Sequence, residues 1–336
     1  MGVRHILGAV AGAVALGTAA CGGASTGGTA AASSAAAPSV AGSGSASASA
    51  GAGSAVKIAF ITKFPVAFFT AMEDAAKAYV AKNPGADVTY FSCKTPSDVA
   101  CQIAQLEDAV AKGFQAIVIT PMGPEVIPAM NAAADKGLKI VLVDNNLEAF
   151  TKRTAVAATD NVKGGQAAGA YLKSVLKPGD TIGLMEGVRG VPALDARIKG
   201  VKDALEGSGV KVIIGGAESK CDAAKGATVA EDLLTRAPRL TAIYSACDDP
   251  AIAAAKVAKA KGKTVLVMGY DGLPDAAKAI QAGDMRATVA QFPGRMASLG
   301  VAAAVDAVHG KTVEAFIDTG TELVTKDNAA GFLTFK

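Results

Sequence analysis

From Val56 onward the chain alternates short apolar runs with helical segments, and it does so twice over. "VKIAFIT" reads as a strand, "AFFTAMEDAAKAYVAK" as a helix and "ADVTYFS" as the next strand. "SDVACQIAQLEDAVAKG" sets Val99, Ile103, Leu106 and Val110 on one helical face, opens at a capping residue and stops at Gly113. "QAIVITP", a helix from about Pro124, and "LKIVLVD" continue the rhythm. "TIGLMEG", "VKVIIGG", "LTAIYSA" and "KTVLVMGYD" then repeat it, each followed by a helical segment. Strands that are apolar without alternation are buried on both faces, and crossover helices cover both faces of a parallel sheet. The pattern therefore predicts an α/β protein of two doubly wound parallel-sheet domains. The 336 residues, 51% of them apolar, suffice for two such cores.

Ligands of doubly wound sheets collect beyond the carboxyl ends of the strands. Here those ends are polar: Asp144-Asn145-Asn146, Glu186-Gly187, Cys247-Asp248-Asp249, Asp271-Gly272 and Gln291. Any one of them can be a helix N-cap, but several at one sheet edge predict a polar ligand site. Phe68 and Phe69 stand side by side where a strand turns into a helix, in a chain with no Trp, as core or as a platform for a half-apolar ligand. The formal charge of +3 with no Lys/Arg cluster argues against nucleic acid as a partner. His309, the one histidine beyond the extreme N-terminus, reads as a helix-end residue. That argues against a His-rich metal site and His-based catalysis, and neither metal nor cofactor is expected. "KGKT" at 261–264 is no phosphate loop, because Val257 stands where its first glycine belongs and a strand follows. With no GxSxG, HExxH or GxGxxG at a strand–helix turn, the chain does not read as an enzyme.

Arg4 and His5 precede an apolar stretch from Ile6 to about Leu16, followed by "GTAAC". The stretch is too short for a membrane span, which needs about 20 residues. It is similar to a bacterial lipoprotein signal over residues 1–20, with Cys21 as the lipidated new N-terminus. Thr18 departs from the usual Leu, and secretion with cleavage at a nearby Ala is the alternative. Residues 22–56 are Gly, Ala, Ser and Thr apart from Pro38, Val40 and Val56, with no charge. Such a segment cannot bury a core, so 21–55 reads as a flexible tether, reaching about 30 Å. The expectation is an extracytoplasmic protein, lipid-anchored to the cell membrane. Cys93, Cys101, Cys221 and Cys247 then form an even set outside the cytoplasm, with three connectivities open. Cys93–Cys101 with Cys221–Cys247 is the expected pairing, and buried free thiols are the alternative.

From Val56 to the C-terminus the chain resembles the periplasmic sugar-binding proteins of the ribose/fructose-binding type, the solute receptors of ABC importers. "ITKFPVAFFTAMEDAAK", "KGFQAIVITP", "KGLKIVLVDNN", "ATDNVKGGQAAGAYL", "ALDARIKGVKDAL", "GYDGLPDAAKAIQAGDMRATVAQFPGRMASLG" and "LVTKDN" carry the resemblance in that order. It implies the periplasmic binding protein type I fold: two lobes, 56–159 plus 292–320 and 160–291 plus 321–336, joined by a three-strand hinge. It further implies a monomer that closes on a monosaccharide or polyol and docks on an ABC transporter permease. In that reading Phe68 and Phe69 stack on a sugar ring, Asp144 accepts from its hydroxyls, and Arg197 donates to neighbouring oxygens. Asp271 and Gln291 complete the polar ring, with Asn145 beside Asp144. Where the family often has Asn this chain has Val66, and where the ribose receptor has Arg it has Asn145. Cys221 and Cys247 take the places of a ligand-facing aromatic and an Asn. The implied ligands therefore extend beyond ribose to other pentoses, ketoses, linear polyols and cyclitols. A receptor presenting a sugar or signal molecule to a chemosensory partner is the alternative on the same fold.

Overall fold

The computed structural model describes residues 54–95 and 98–335. The expected signal segment, Cys21 and all but the end of the tether lie outside the described residues. The first lobe begins with β1 (Val56–Ile61), α1 (Ala67–Lys82), β2 (Ala86–Phe91), α2 (Val99–Ala111), β3 (Ala116–Ile119), α3 (Ile127–Asp135), β4 (Lys139–Val143) and β5 (Ala155–Ala158). The second follows with α4 (Asn161–Val175), β6 (Thr181–Met185), α5 (Pro192–Leu205), β7 (Lys211–Ile214), α6 (Ala223–Arg236) and β8 (Ala242–Ser245). It continues through α7 (Asp248–Ala260), β9 (Leu266–Asp271), α8 (Pro274–Ala282) and β10 (Ala287–Ala290). The chain returns to the first sheet through α9 (Pro293–Val308) and β11 (Phe316–Asp318), then ends on the second with β12 (Glu322–Val324).

The two sheets share one order, β2-β1-β3-β4-β5-β11 and β7-β6-β8-β9-β10-β12. Described strands pair in parallel except β12, which runs antiparallel to β10. All residues of β3, β5, β8 and β10 are buried, as strands covered on both faces must be. Along β1, Ile58 and Phe60 point to a core shared with Met72 of α1 and Met296 of α9. Ala59 and Ile61 point the other way, to Leu106 of α2 and Met130 of α3. Helices start where the sequence offers caps. Asp98, Asp160 and Asp222 accept from the backbone N–H three residues on, while Pro192, Pro274 and Pro293 open α5, α8 and α9. His309 caps the end of α9.

One packing detail positions the site. Helices α4 and α5 approach closely enough that a Cβ on Gly165 would lie 2.4 Å from the carbonyl oxygen of Arg197. A Cβ on Gly200 would lie 2.5 Å from that of Val162. Only glycine lets these backbones touch, and α5 carries Arg197. Gly200→Ala is therefore expected to cost about 1–3 kcal/mol, as overpacking does. Chemical denaturation of the two proteins measures it, and equal midpoints would show that the helices can part freely.

Candidate ligand-binding site

The polar groups converge at the carboxyl ends of the strands. Arg197 is 4% exposed and organises the second-lobe side. Its Nε donates to Asn161 Oδ1 at 2.8 Å, and its Nη1 donates to the Ala246 carbonyl and to Asp271 Oδ1, each at 2.8 Å. The guanidinium lies over the Tyr270 ring, 4.0 Å from its centroid. Gln291 Nε2 also donates to Asp271 Oδ1, at 2.8 Å. Arg197, Asp271 and Gln291 are thus one connected cluster, drawn from α5, β9 and the end of β10.

Asp144 faces this cluster from the end of β4. Burial pushes its carboxyl above the usual range, against the pull of Lys63 and then Arg197. Burial likewise lowers the Lys63 ammonium, opposed by Asp144. Lys63 lies just beyond β1 with its Nζ 5.7 Å from the Phe69 centroid. Phe69 is buried and meets Phe64 and Phe68 edge-on, at 5.5 and 5.6 Å between centroids. Phe68 is half-buried and packs on the first-lobe core. Asn145 is turned to the backbone, its Nδ2 donating to the Pro121 carbonyl at 3.3 Å. Within the described residues the Asp144 carboxylate, Asp271 Oδ2 and Arg197 Nη2 make no hydrogen bond, so acceptors and a donor remain open to a ligand.

Both carboxylates sit on unusual backbone. Asp144 has φ 65° and Asp271 φ 123°, two of the four non-glycine residues with positive φ among those described. Such conformations cost about 1–3 kcal/mol each and persist where the surroundings fix them. Asp248, fully buried at the start of α7, supplies that support for Asp271. It accepts from the Leu273 N–H at 2.8 Å and from Thr288 Oγ1 at 2.7 Å. Its carboxyl is held far above the ordinary range by burial and by Asp271.

Lys63, Asn161, Tyr270 and Asp248 were not among the residues expected from the sequence. Lys63 stands between strand and Phe pair in "ITKF", Asn161 in "ATDN" and Tyr270 beside Asp271 in "GYDG". Asp248 showed only as a polar strand end. The structure brings Cys93 to Cys101 and Cys221 to Cys247, with Cα–Cα separations of 6.0 and 5.4 Å. Both fall in the disulfide range of about 4.4–6.8 Å. Cys247 directly follows Ala246, whose carbonyl holds Arg197.

Residues 58–312 match the model of the periplasmic binding protein domain. The chain belongs to the periplasmic binding protein family. This periplasmic binding protein is 31% identical over 271 residues to a D-ribose/D-allose-binding protein of Pseudomonas aeruginosa, covering 77% of this chain and 85% of that one. A ribose import binding protein of Bacillus subtilis is 32% identical over 231 residues, 68% of this chain and 75% of the other. Among solved structures, an ABC transporter solute binding protein of Mycobacterium smegmatis with bound glycerol superposes with a TM-score of 0.75 at 29% identity. The match covers 84% of this chain and 98% of that one.

Burial raises the Asp271 carboxyl to about 6, against the opposing pull of Arg197. A folded-state value above the unfolded one means that the folded protein keeps this proton in a window where the unfolded chain has lost it. The associated stability is present below about pH 4. It is lost as pH rises towards about 6. Urea unfolding of the wild type should thus weaken across that window, and Asp271→Asn should show a flatter slope. Parallel pH profiles would contradict the assignment.

Proposed function

We propose that this periplasmic binding protein captures a neutral sugar or polyol between its lobes and delivers it to an ABC import permease, making and breaking no bond. The observation that carries this reading is the charge balance of the site. Two cations, Lys63 and Arg197, face two carboxylates, Asp144 and Asp271. A phosphate or carboxylate ligand would meet both acids, whereas a hydroxyl both donates and accepts and so suits either sign. Phe68 and Phe69, with their planes 86° apart, supply an apolar corner in which one ring face can meet the C–H face of a ligand. The relatives named for ribose and allose, and the solved structure with glycerol, support the polyhydroxy class.

The lobes are 56–159 plus 292–320 and 160–291 plus 321–336. A ligand touching both favours the closed arrangement by its differential affinity for it. Membership of this family supports an extracytoplasmic location. There the protein acts as a monomer, anchored through a lipid on Cys21, with Cys93–Cys101 and Cys221–Cys247 as disulfides. The second bridge spans 26 positions. On the loop-entropy account it contributes roughly 3 kcal/mol and stiffens the loop ends behind Arg197.

A thermal-shift panel of pentoses, hexoses, polyols and cyclitols on the full-length chain tests the reading. A ligand at about 100 times its Kd adds about 2.7 kcal/mol and raises the midpoint by several degrees. Arg197→Ala should weaken binding of that hit by about thirtyfold or more, because it removes one partner of a buried charge pair. Silence of the wild type across the panel would sink the sugar reading. Unreduced peptide mapping should return the two cystine peptides, and four free thiols would overturn the bridges.

A further inference from the structure

The family match ends at residue 312, and the chain beyond it leads into a tail that touches both lobes. Phe332 is buried in the second-lobe core with Ala329, beside Ala276, Ala277 and Ile280 of α8. Three residues later Phe335 lies on the first lobe. Its ring centroid is 6.1 Å from that of Phe68, with the planes 85° apart. Phe335 also lines a groove of about 520 Å³ with Ala67, Thr70, Ala71 and Asp74 of α1 and Gly294 of α9. One short segment is therefore rooted in one lobe and seated on the other.

The reach of this segment is small. Three residues span at most about 10 Å when fully extended, so the lobes cannot part far here without lifting Phe335 from its seat. The seat is also continuous with the site. Phe335 meets Phe68 edge-on, Phe68 meets Phe69 edge-on, and Phe69 meets Phe64 edge-on while facing Lys63. Perpendicular aromatic pairs resist sliding because each ring edge sits on the negative face of the next. We propose that Phe335 is a positioning residue: from the second lobe it fixes Phe68, and its tail is a fourth link between lobes otherwise joined by the three crossings. The role of Phe68 as a ligand wall rests on the sugar-binding reading; the link itself does not.

The chain contains no Trp, so Phe335→Trp creates a single fluorescent reporter. In the ligand-free full-length protein its emission should be blue-shifted and shielded from iodide, and adding Phe68→Ala should make it water-like. A chain ending at Phe332 should show a larger radius of gyration by small-angle scattering. D-Ribose serves as the binding probe. Phe335→Ala is expected to weaken its binding by about two- to tenfold, the range an aromatic pair gives, with Phe335→Tyr restoring it. Water-like emission unaffected by Phe68→Ala, or an unchanged radius together with unchanged ribose affinity, would overturn the link. If the wild type ignores D-ribose, the sugar reading loses support, while emission and scattering still decide the link.

Discussion

The Arg197–Asp271 pair is the interaction on which the site depends. Burying a guanidinium costs several kcal/mol unless its charge and its donors are met. Here one side chain on α5 is met by Asn161 at the start of α4, by the Ala246 carbonyl after β8, by Asp271 on β9 and by the Tyr270 ring. Pairs of this kind add little net stability over a well-packed apolar alternative, so their value is geometric. Arginine suits the task because its planar fork can saturate one nitrogen against the protein and keep another free. Nη1 serves Asp271 and Ala246, and Nη2 stays open.

Around that pair the second lobe is arranged to hold backbone that the chain would not adopt alone. Asp271 sits at φ 123°, and Leu273, two residues on, is fixed by Asp248. A Cβ at Gly269 would lie 2.1 Å from Asp248 Oδ1, so this glycine makes room for the buried acid. Gly165 and Gly200 do the same for α5. Three glycine positions and one buried acid thus serve the Arg197–Asp271 pair.

The architecture was legible because its signal is strong. Runs such as Val118–Ile119 and Leu142–Val143 are buried from both sides, so hydrophobicity alone marks them. β5 reads AVAA, and β11 and β12 have three residues each; too little apolar surface marks them, and partners distant in sequence define them. The cluster of Arg197, Asp271 and Gln291 was reached through motifs whose order resembles a known family. Lys63 and Asp248 were harder to see, because a lysine after a strand and an aspartate starting a helix have ordinary explanations. Only the fold reveals that Asp248 is fully buried and Lys63 partly so. Nothing in the local sequence around Phe335 announces its contact, since Phe68 lies more than 260 positions away.

What restrains the lobes is then a question of magnitudes. At the crossings, Lys163 bridges Asp160 at 2.9 Å and Asp318 at 3.5 Å, tying the first crossing to the third. Its side chain is 69% exposed. Exposed pairs of this kind contribute about 0–1 kcal/mol and weaken with salt. Arg295 lies over Phe292 and donates to the Thr319 carbonyl at a long 3.4 Å. The hydroxyls of Thr159 and Thr319, neighbours across the β5–β11 pairing, have no partner within the described residues. The crossings are therefore tied by weak contacts and carry unmet polar capacity, as the proposed closure about them requires. In the proposed reading, a soft joint leaves the choice between arrangements to whatever touches both lobes at once: a ligand held between Asp144 and Arg197 on one side, and the Phe335 tail on the other.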